Sequence, residues 1–183
     1  MIHFRTLDRG DLPLMHRWLN TPHVVEWWPD EALTLDQIIA KYSPRIDGKE
    51  DVRCFVIVKG DRAIGYIQEY PFGKDSEYAR HIAAAERAAG IDLFIGEVEF
   101  HHRGLGASII RQFLKDVVFA DPAVESCIID PAVSNRGAIR AYEKAGFRFL
   151  KIVTNPGEAE SQYLMRVGGA EFREGQPGAV TKS

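Results

Sequence analysis

Cysteine is scarce in this 183-residue chain, and the two present, Cys54 and Cys127, lie inside the apolar runs Cys-Phe-Val-Ile-Val and Cys-Ile-Ile-Asp. Neither belongs to a Cys-x-x-Cys pair or to any metal-type spacing. A disulfide framework and a thiolate metal site are therefore excluded, and two reduced thiols in buried strands are predicted. Long runs of Lys or Arg are also missing, and the formal net charge is −3. That removes the electrostatic footprint of a nucleic-acid or anionic-membrane binder, whereas a polycationic ligand would suit such a surface. No apolar stretch is long enough to span a bilayer, and the sequence opens into Met-Ile-His-Phe-Arg-Thr-Leu with no charged leader and apolar core ahead of it. A cytoplasmic location without a membrane partner is expected. The six histidines show no metal-ligand spacing, and no metal is expected.

What is present is the make-up of an ordinary globular protein, 45% apolar and 27% charged. The length fits one domain with a core of its own, expected over residues 1–167, with 168–183 as a flexible tail. Residues 1–7 alternate apolar and polar like an edge strand, and Asp11 is placed to cap a helix reaching about Asn20. Thr34 with Gln37 reads as a capping box for a second helix, which Pro44 should end. Two apolar-rich runs, 52–59 and 63–70, flank Gly60-Asp61 as a β-hairpin. Residues 71–90, rich in Ala, Glu and Arg, read as a long active-site loop. A central strand over 91–97, a helix over 104–119, a buried strand over 127–130 and a helix over 135–145 closed by Gly146 follow. Two last strands span about 147–154 and 161–167. The order β-α-α-β-β-β-α-β-α-β-β describes an α/β (α+β) fold, a mixed sheet of about seven strands with helices on both faces.

The segment His101-His102-Arg103-Gly104-Leu105-Gly106-Ala107-Ser108 lies between a predicted strand and an amphipathic helix. Glycines there let backbone amides converge on an anion at the helix N-terminus, as a pyrophosphate site requires. A dinucleotide fingerprint would need a third glycine where Ile109 stands, and a Walker loop would need Gly-Lys-Ser/Thr, so both are excluded.

Downstream runs Asn135-Arg136-Gly137-Ala138-Ile139-Arg140-Ala141-Tyr142-Glu143-Lys144-Ala145-Gly146-Phe147. This stretch resembles motif B of the GNAT N-acetyltransferases, and residues 101–107 resemble their motif A, usually Arg/Gln-x-x-Gly-x-Gly/Ala. His101 stands where Arg or Gln is customary. The resemblance implies acetyl-CoA as co-substrate and a sheet splayed between its fourth and fifth strands. It also implies backbone groups at Phe94, Ile95 and Gly96 paired with the pantetheine arm. The amides of Arg103, Gly104, Leu105, Gly106, Ala107 and Ser108 would hold the pyrophosphate, with His101 and His102 in contact with the anion. Asn135, Ala138 and Tyr142 would line the far side.

A more specific resemblance is to bacterial aminoglycoside 6′-N-acetyltransferases. It is carried by Trp18-Leu19-Asn20 with His23-Val24-Val25-Glu26-Trp27-Trp28, by Ile64-Gly65-Tyr66-Ile67-Gln68 with Tyr70, and by Gly90-Ile91-Asp92 and Asp130-Pro131 placed ahead of the two motifs. It implies a polyamine-like small molecule as acceptor, bound by Asp92 and Asp130 with Trp27, Trp28 and Tyr66 shaping the pocket and Glu69 adding negative potential. The chemistry agrees. An alkylammonium titrates near ~10 and must lose a proton before attack, a task for Asp92 or Asp130. Tyr142 can protonate the departing thiolate, and a backbone amide near Ile95 can meet the oxyanion. The sequence departs from those enzymes at 71–89, which bears on the range of acceptors. Two other readings stand beside this one: a siderophore-biosynthesis N-acyltransferase of the same fold, and a non-catalytic acyl-CoA-binding sensor. A monomer and a homodimer are both compatible with the sequence.

Overall fold

Alternation of apolar and polar residues builds the first strand, and apolar-rich runs build the next two. Ile2–Thr6 (β1), Arg53–Lys59 (β2) and Arg62–Phe72 (β3) lie side by side, the last two joined at Gly60, whose φ of 63° is the left-handed turn conformation. β1 pairs antiparallel with β2, and β2 with β3. Ala88–Ile95 (β4), Ser126–Ile129 (β5), Arg148–Val153 (β6) and Gln162–Gly168 (β7) complete a seven-stranded sheet of order β1-β2-β3-β4-β5-β7-β6. The β4–β5 pairing is parallel and runs from Ala88 opposite Ser126 to Gly90 opposite Ile128. β7 is antiparallel to both β5 and β6. The helices are Leu12–Leu19 (α1), Pro22–Val25 (α2), Leu35–Ile46 (α3), Leu105–Phe113 (α4), Arg136–Ala145 (α5) and Gly169–Glu174 (α6). A mixed sheet of seven strands with helices on both faces is the class expected from the sequence. This computed structural model describes residues 1–28, 33–72, 87–154 and 160–175.

The chain divides into two compact units. One comprises Met1–Tyr70 with Ile91–Leu105, the other Pro71–Gly90 with Gly106–Ser183. The core of the first gathers Leu12, Met15 and Trp18 of α1, Ile38 and Tyr42 of α3, Val56 and Tyr66 of the sheet, and Phe94 of β4. Burial of such side chains contributes about 1.5–3 kcal/mol each. In the second unit, Ala88, Ile128, Val153 and Leu164 form one buried cluster. Ile109, Ile110 and Phe113 give α4 a buried face.

The capping box at α3 forms as expected, with the Gln37 amide donating to Thr34 Oγ1 (3.3 Å) and the Thr34 amide to Gln37 Oε1 (2.7 Å). Gly146 ends α5 at φ 111°. Both thiols are buried and free. Other expectations need correction. Pro44 lies inside α3, near enough to its end that only the last turn loses a hydrogen bond. Asp11 stands at the N-cap of α1, but its side chain accepts no capping bond there. Its carboxylate instead takes both Arg5 guanidinium nitrogens at 2.6 Å and the Asp8 amide at 3.0 Å. Of the loop expected over 71–90, residues 73–86 lie outside the described residues, β3 extends to Phe72, and Ala88, Ala89 and Gly90 are strand. These are poor strand formers on their own, and pairing with β5 overrides that preference. The helix expected over 104–119 is α-helical to Phe113 and continues as a π-type turn over Leu114–Val118. Beyond Val167, where a loose tail is expected, Gly168 closes β7 and α6 follows, its Phe172 buried against Phe119 at 5.3 Å between ring centroids.

Candidate active site

In the first unit, Asp92 rises from the middle of β4, half-buried, with Gln68 Nε2 donating to its Oδ2 at 2.8 Å and Tyr70 Oη 3.5 Å from Oδ1. Burial pushes the Asp92 carboxyl above its usual range, although Gln68, Tyr70 and the charge of Arg45 oppose the rise. Gln68 Oε1 accepts from Tyr66 Oη (2.8 Å) and from Arg45 Nη1 (3.0 Å). Tyr66 Oη also lies 3.0 Å from Cys54 Sγ. Burial pushes the Cys54 thiol up, so it remains S–H and can donate to the phenol oxygen while the single phenol proton goes to Gln68.

Aromatic rings close this region. Trp28 meets Tyr66 and Phe94 edge-on at 6.1 and 5.0 Å, and Tyr66 and Phe94 are 5.6 Å apart. Trp27 is 42% exposed. Thus the tryptophan pair expected to shape a pocket divides, Trp28 packing into the aromatic cluster and Trp27 facing outward. Tyr66, expected to shape the pocket, is fully buried, with its hydroxyl donating to Gln68. Glu69, one position along the strand, points to the opposite face, is buried and pairs with Arg53 Nε at 2.6 Å. The structure does not bring Glu69 together with Asp92.

The end of β4 is held by unusually close approaches. Gly96 and Glu97 both donate their amides to Ile64 O, at 2.9 and 3.1 Å, which makes a bulge. A Cβ on Gly96 would stand 2.2 Å from the Trp18 ring, and one on Gly65 would stand 2.2 Å from Phe94 O. His23 Nε2 contacts Ile95 O at 2.9 Å and stacks on His101, whose ring also meets His102 at 3.9 Å. Burial, then the neighbouring His102 and His23, hold the His101 imidazole below its ordinary range, with Glu26 opposing. At neutral pH the His101 ring is therefore uncharged. Buried Glu97 accepts from Trp18 Nε1 (2.9 Å), from Arg17 and from Arg62 (3.2 Å). Burial works to raise Glu97, but Arg17, Trp18 and Arg62 hold it below the usual carboxylate range.

Next comes the loop expected to bind an anion. His102 (φ 56°) and Gly104 (φ 72°) are both left-handed, the arrangement that turns successive amides outward, and α4 begins directly after. No atom lies within 4 Å of where a Gly104 Cβ would be. The segment 101–108 contains no carboxylate, and Arg103 is exposed, its Nε donating to Glu99 O at 3.2 Å. Leu105, Ala107 and Ser108 form the first turn of α4 with Gly106, whose Cβ would approach Ala141 Cβ at 3.2 Å and set α4 close to α5. An open, acid-free backbone at the head of a nine-residue helix fits a pyrophosphate.

In the second unit, Asn135 Oδ1 accepts from the Ala138 amide at 3.0 Å and so caps α5. Tyr142 packs edge-on against Phe147 at 5.3 Å and is nearly buried. Asp130 follows the last residue of β5 and is half-buried, in a loop tied to β7 by the Tyr163 amide donating to Pro131 O at 2.8 Å. Sequence reasoning assigned no role to Arg45, Gln68 or His23, and none to the Glu97 side chain, whose backbone alone it grouped with Phe94, Ile95 and Gly96 along the pantetheine arm. Gln68 and His23 stand inside the strings that carry the resemblance, whereas the surroundings of Arg45 gave no signal. Among the described residues no group of three or more His, Cys, Asp or Glu is placed to hold a metal ion, and no helix is long and apolar enough to cross a membrane.

A family model for the acetyltransferase (GNAT) domain matches residues 8–155. The chain is 32% identical over 157 residues to aminoglycoside N(6′)-acetyltransferase type 1 of Klebsiella pneumoniae, covering 85% of this chain and 78% of that protein. It is similar in structure to aminoglycoside acetyltransferase AAC(6′)-Ib in complex with coenzyme A and kanamycin, with 28% identity, a TM-score of 0.82, and coverage of 97% of this chain and 100% of that one. A weaker likeness, 25% over 159 residues, covering 82% of this chain and 47% of that protein, relates it to the N(6)-hydroxylysine O-acetyltransferase of Escherichia coli.

Proposed function

The chain belongs to the GNAT acetyltransferase family, and we propose that it transfers acetyl from acetyl-CoA to the 6′-amine of an aminoglycoside, a reaction that would confer resistance. The observation that carries the choice of acceptor is Asp92, a half-buried carboxylate held by Gln68 beside the Trp28–Tyr66–Phe94 cluster, in a chain that shares 32% identity with an aminoglycoside N(6′)-acetyltransferase. Polyamino sugars combine several positive charges with apolar ring faces, and a carboxylate near aromatic rings answers both. One family model spans residues 8–155 and so takes in most of both units.

Acetyl-CoA supplies the acyl group as a thioester. The loop amides from Arg103 to Ser108 would hold its pyrophosphate, and Asn135, Ala138 and Tyr142 would flank the cofactor arm. Asp92 would bind the acceptor ammonium and take its proton. The upward direction of its titration suits it to that role. Asp130 would add a second contact to the charged acceptor, and the Tyr142 phenol would supply the proton for the departing thiolate.

Thiol release from acetyl-CoA is measured with kanamycin and tobramycin and with partners bearing a hydroxyl at the 6′ position. Release with the 6′-amino drugs alone is expected. Silence across the panel, with acetyl-CoA binding intact by calorimetry, overturns the assignment and brings forward hydroxylamine acceptors of siderophore chemistry, or a sensor without turnover.

A further inference from the structure

Gln68 is an amide with two different ends, and its surroundings leave it one orientation. Its Oε1 faces the Arg45 guanidinium at 3.0 Å and the Tyr66 hydroxyl at 2.8 Å, and its Nε2 faces Asp92 at 2.8 Å. A guanidinium can only donate, and an ionised carboxylate can only accept. A flipped Gln68 would set N–H against N–H at Arg45 and oxygen against oxygen at Asp92, so the donor character of Arg45 is passed along the amide to the carboxylate. Arg45 itself is fixed by Glu50, with Nε to Oε2 at 2.9 Å, and lies over the Tyr42 ring, 5.4 Å from its centroid. It stands on α3, 23 positions from Gln68 in sequence.

We infer that Arg45 is a positioning residue for the acetyltransferase reaction, which through Gln68 orients Asp92 and keeps it in the ionised, proton-accepting form. The inference rests on the reading of Asp92 as the acceptor-facing base. Without Arg45 the amide is free to turn its oxygen toward Asp92, where it would favour the protonated acid. The groups that bear on Asp92 are Gln68, Tyr66 and Tyr70 of β3, Arg45 and Tyr42 of α3, Cys54 of β2, and Glu50 beyond Arg45. Burial raises the Asp92 carboxyl, and Arg45 is the cation that opposes that rise.

The test follows the Asp92 side-chain carboxyl directly, by NMR titration of the full chain labelled with ¹³C-aspartate and assigned with Asp92→Asn. Arg45→Met is expected to move the Asp92 titration upward by about one pH unit, a roughly tenfold fall in the ionised-to-protonated ratio at fixed pH. Gln68→Met should move it similarly, and the double variant by no more than about 0.3 units beyond either, because the two act in series. Arg45→Lys should restore part of the shift. Glu50→Gln, which breaks the same ion pair but leaves the amide contact, should move the titration no higher, whereas a merely structural role for this part of α3 would make Glu50→Gln resemble Arg45→Met. A titration unmoved in both Arg45→Met and Gln68→Met overturns the inference. Full activity of Asp92→Asn on 6′-amino drugs would instead sink the catalytic reading of Asp92, while the titration would still decide whether Arg45 governs its charge.

Discussion

Replacing Gly65 by alanine tests how the fold delivers Asp92. The new Cβ would sit 2.2 Å from Phe94 O and 3.0 Å from Ile95 Cα, both backbone atoms that no rotamer change can move. An ordinary C···O approach is about 3.3 Å, so β4 must withdraw from β3 by about 1 Å. The two hydrogen bonds that Ile64 O receives, at 2.9 and 3.1 Å, then lengthen past the useful range. Each contributes about 1 kcal/mol net, and the overpacking itself costs about 1–3 kcal/mol. The total, about 3–5 kcal/mol, corresponds to a fall in Tm on the order of 10 °C in a domain of this size. The same displacement stretches the 2.8 Å contact between Gln68 and Asp92, and a misplacement of about 1 Å at a reacting group lowers kcat/KM by about 10². Thermal unfolding and thiol-release kinetics on the same preparation read both effects. A Gly65→Ala protein within about 2 °C of the parent and fully active would refute the close β3–β4 approach as the feature that places Asp92.

Gly137→Ala is the matched control, because its nearest neighbour would be Asn135 Oδ1 at an ordinary 3.7 Å and the position is the second residue of α5. It should stabilise by about 0.5–1 kcal/mol in thermal unfolding, and a comparable loss would mean that the Asn135 cap had been disturbed. Glu97, held below the usual carboxylate range, contributes stability that is complete above that range and drains as pH falls through its folded value. Between about pH 6 and about pH 3 the parent should therefore lose Tm more steeply than Glu97→Gln, and parallel curves would contradict the assignment.

Much of the architecture is written in local pattern. Alternation marks β1, apolar-rich runs about a Gly-Asp turn mark β2 and β3, the Thr34–Gln37 pair marks the start of α3, and Gly146 marks the end of α5, because each depends on neighbours a few residues away. Where the reading failed, distant atoms decide. Ala88 to Gly90 become strand by pairing with β5, and α6 forms where a tail is expected because Phe172 finds Phe119. Asp11 has the spacing of a cap and the chemistry of one, yet Arg5 of β1 claims both its oxygens. Glu69 was grouped with the acceptor contacts by charge alone, and the two-residue period of β3 sends it to the other face, where Arg53 neutralises it. The site shows the same limit. Asp92 was legible, but the orientation of Gln68 beside it depends on an arginine on another element.

These carboxylates also show how the site differs from its scaffold. Asp11 and Glu97 experience burial as Asp92 does, but arginines bond them directly, and both end below the usual carboxylate range. Asp92 receives a neutral amide in place of a guanidinium, and ends above it. A carboxylate without its own cation can take a cationic amine and then its proton, which a directly paired one would do poorly. The arrangement has a stability consequence whose sign is fixed. An acid whose folded pKa is raised destabilises the folded state at pH above both pKa values, and that deficit shrinks as pH falls through the folded value. Asp92→Asn keeps an acceptor oxygen toward Gln68 Nε2 and removes the buried charge, so at neutral pH it should raise Tm while lowering kcat/KM by about 10²–10⁴. The gain in Tm over the parent should narrow toward acidic pH. A Tm at neutral pH that falls together with the activity would show that the Asp92 charge serves the fold and not only the reaction.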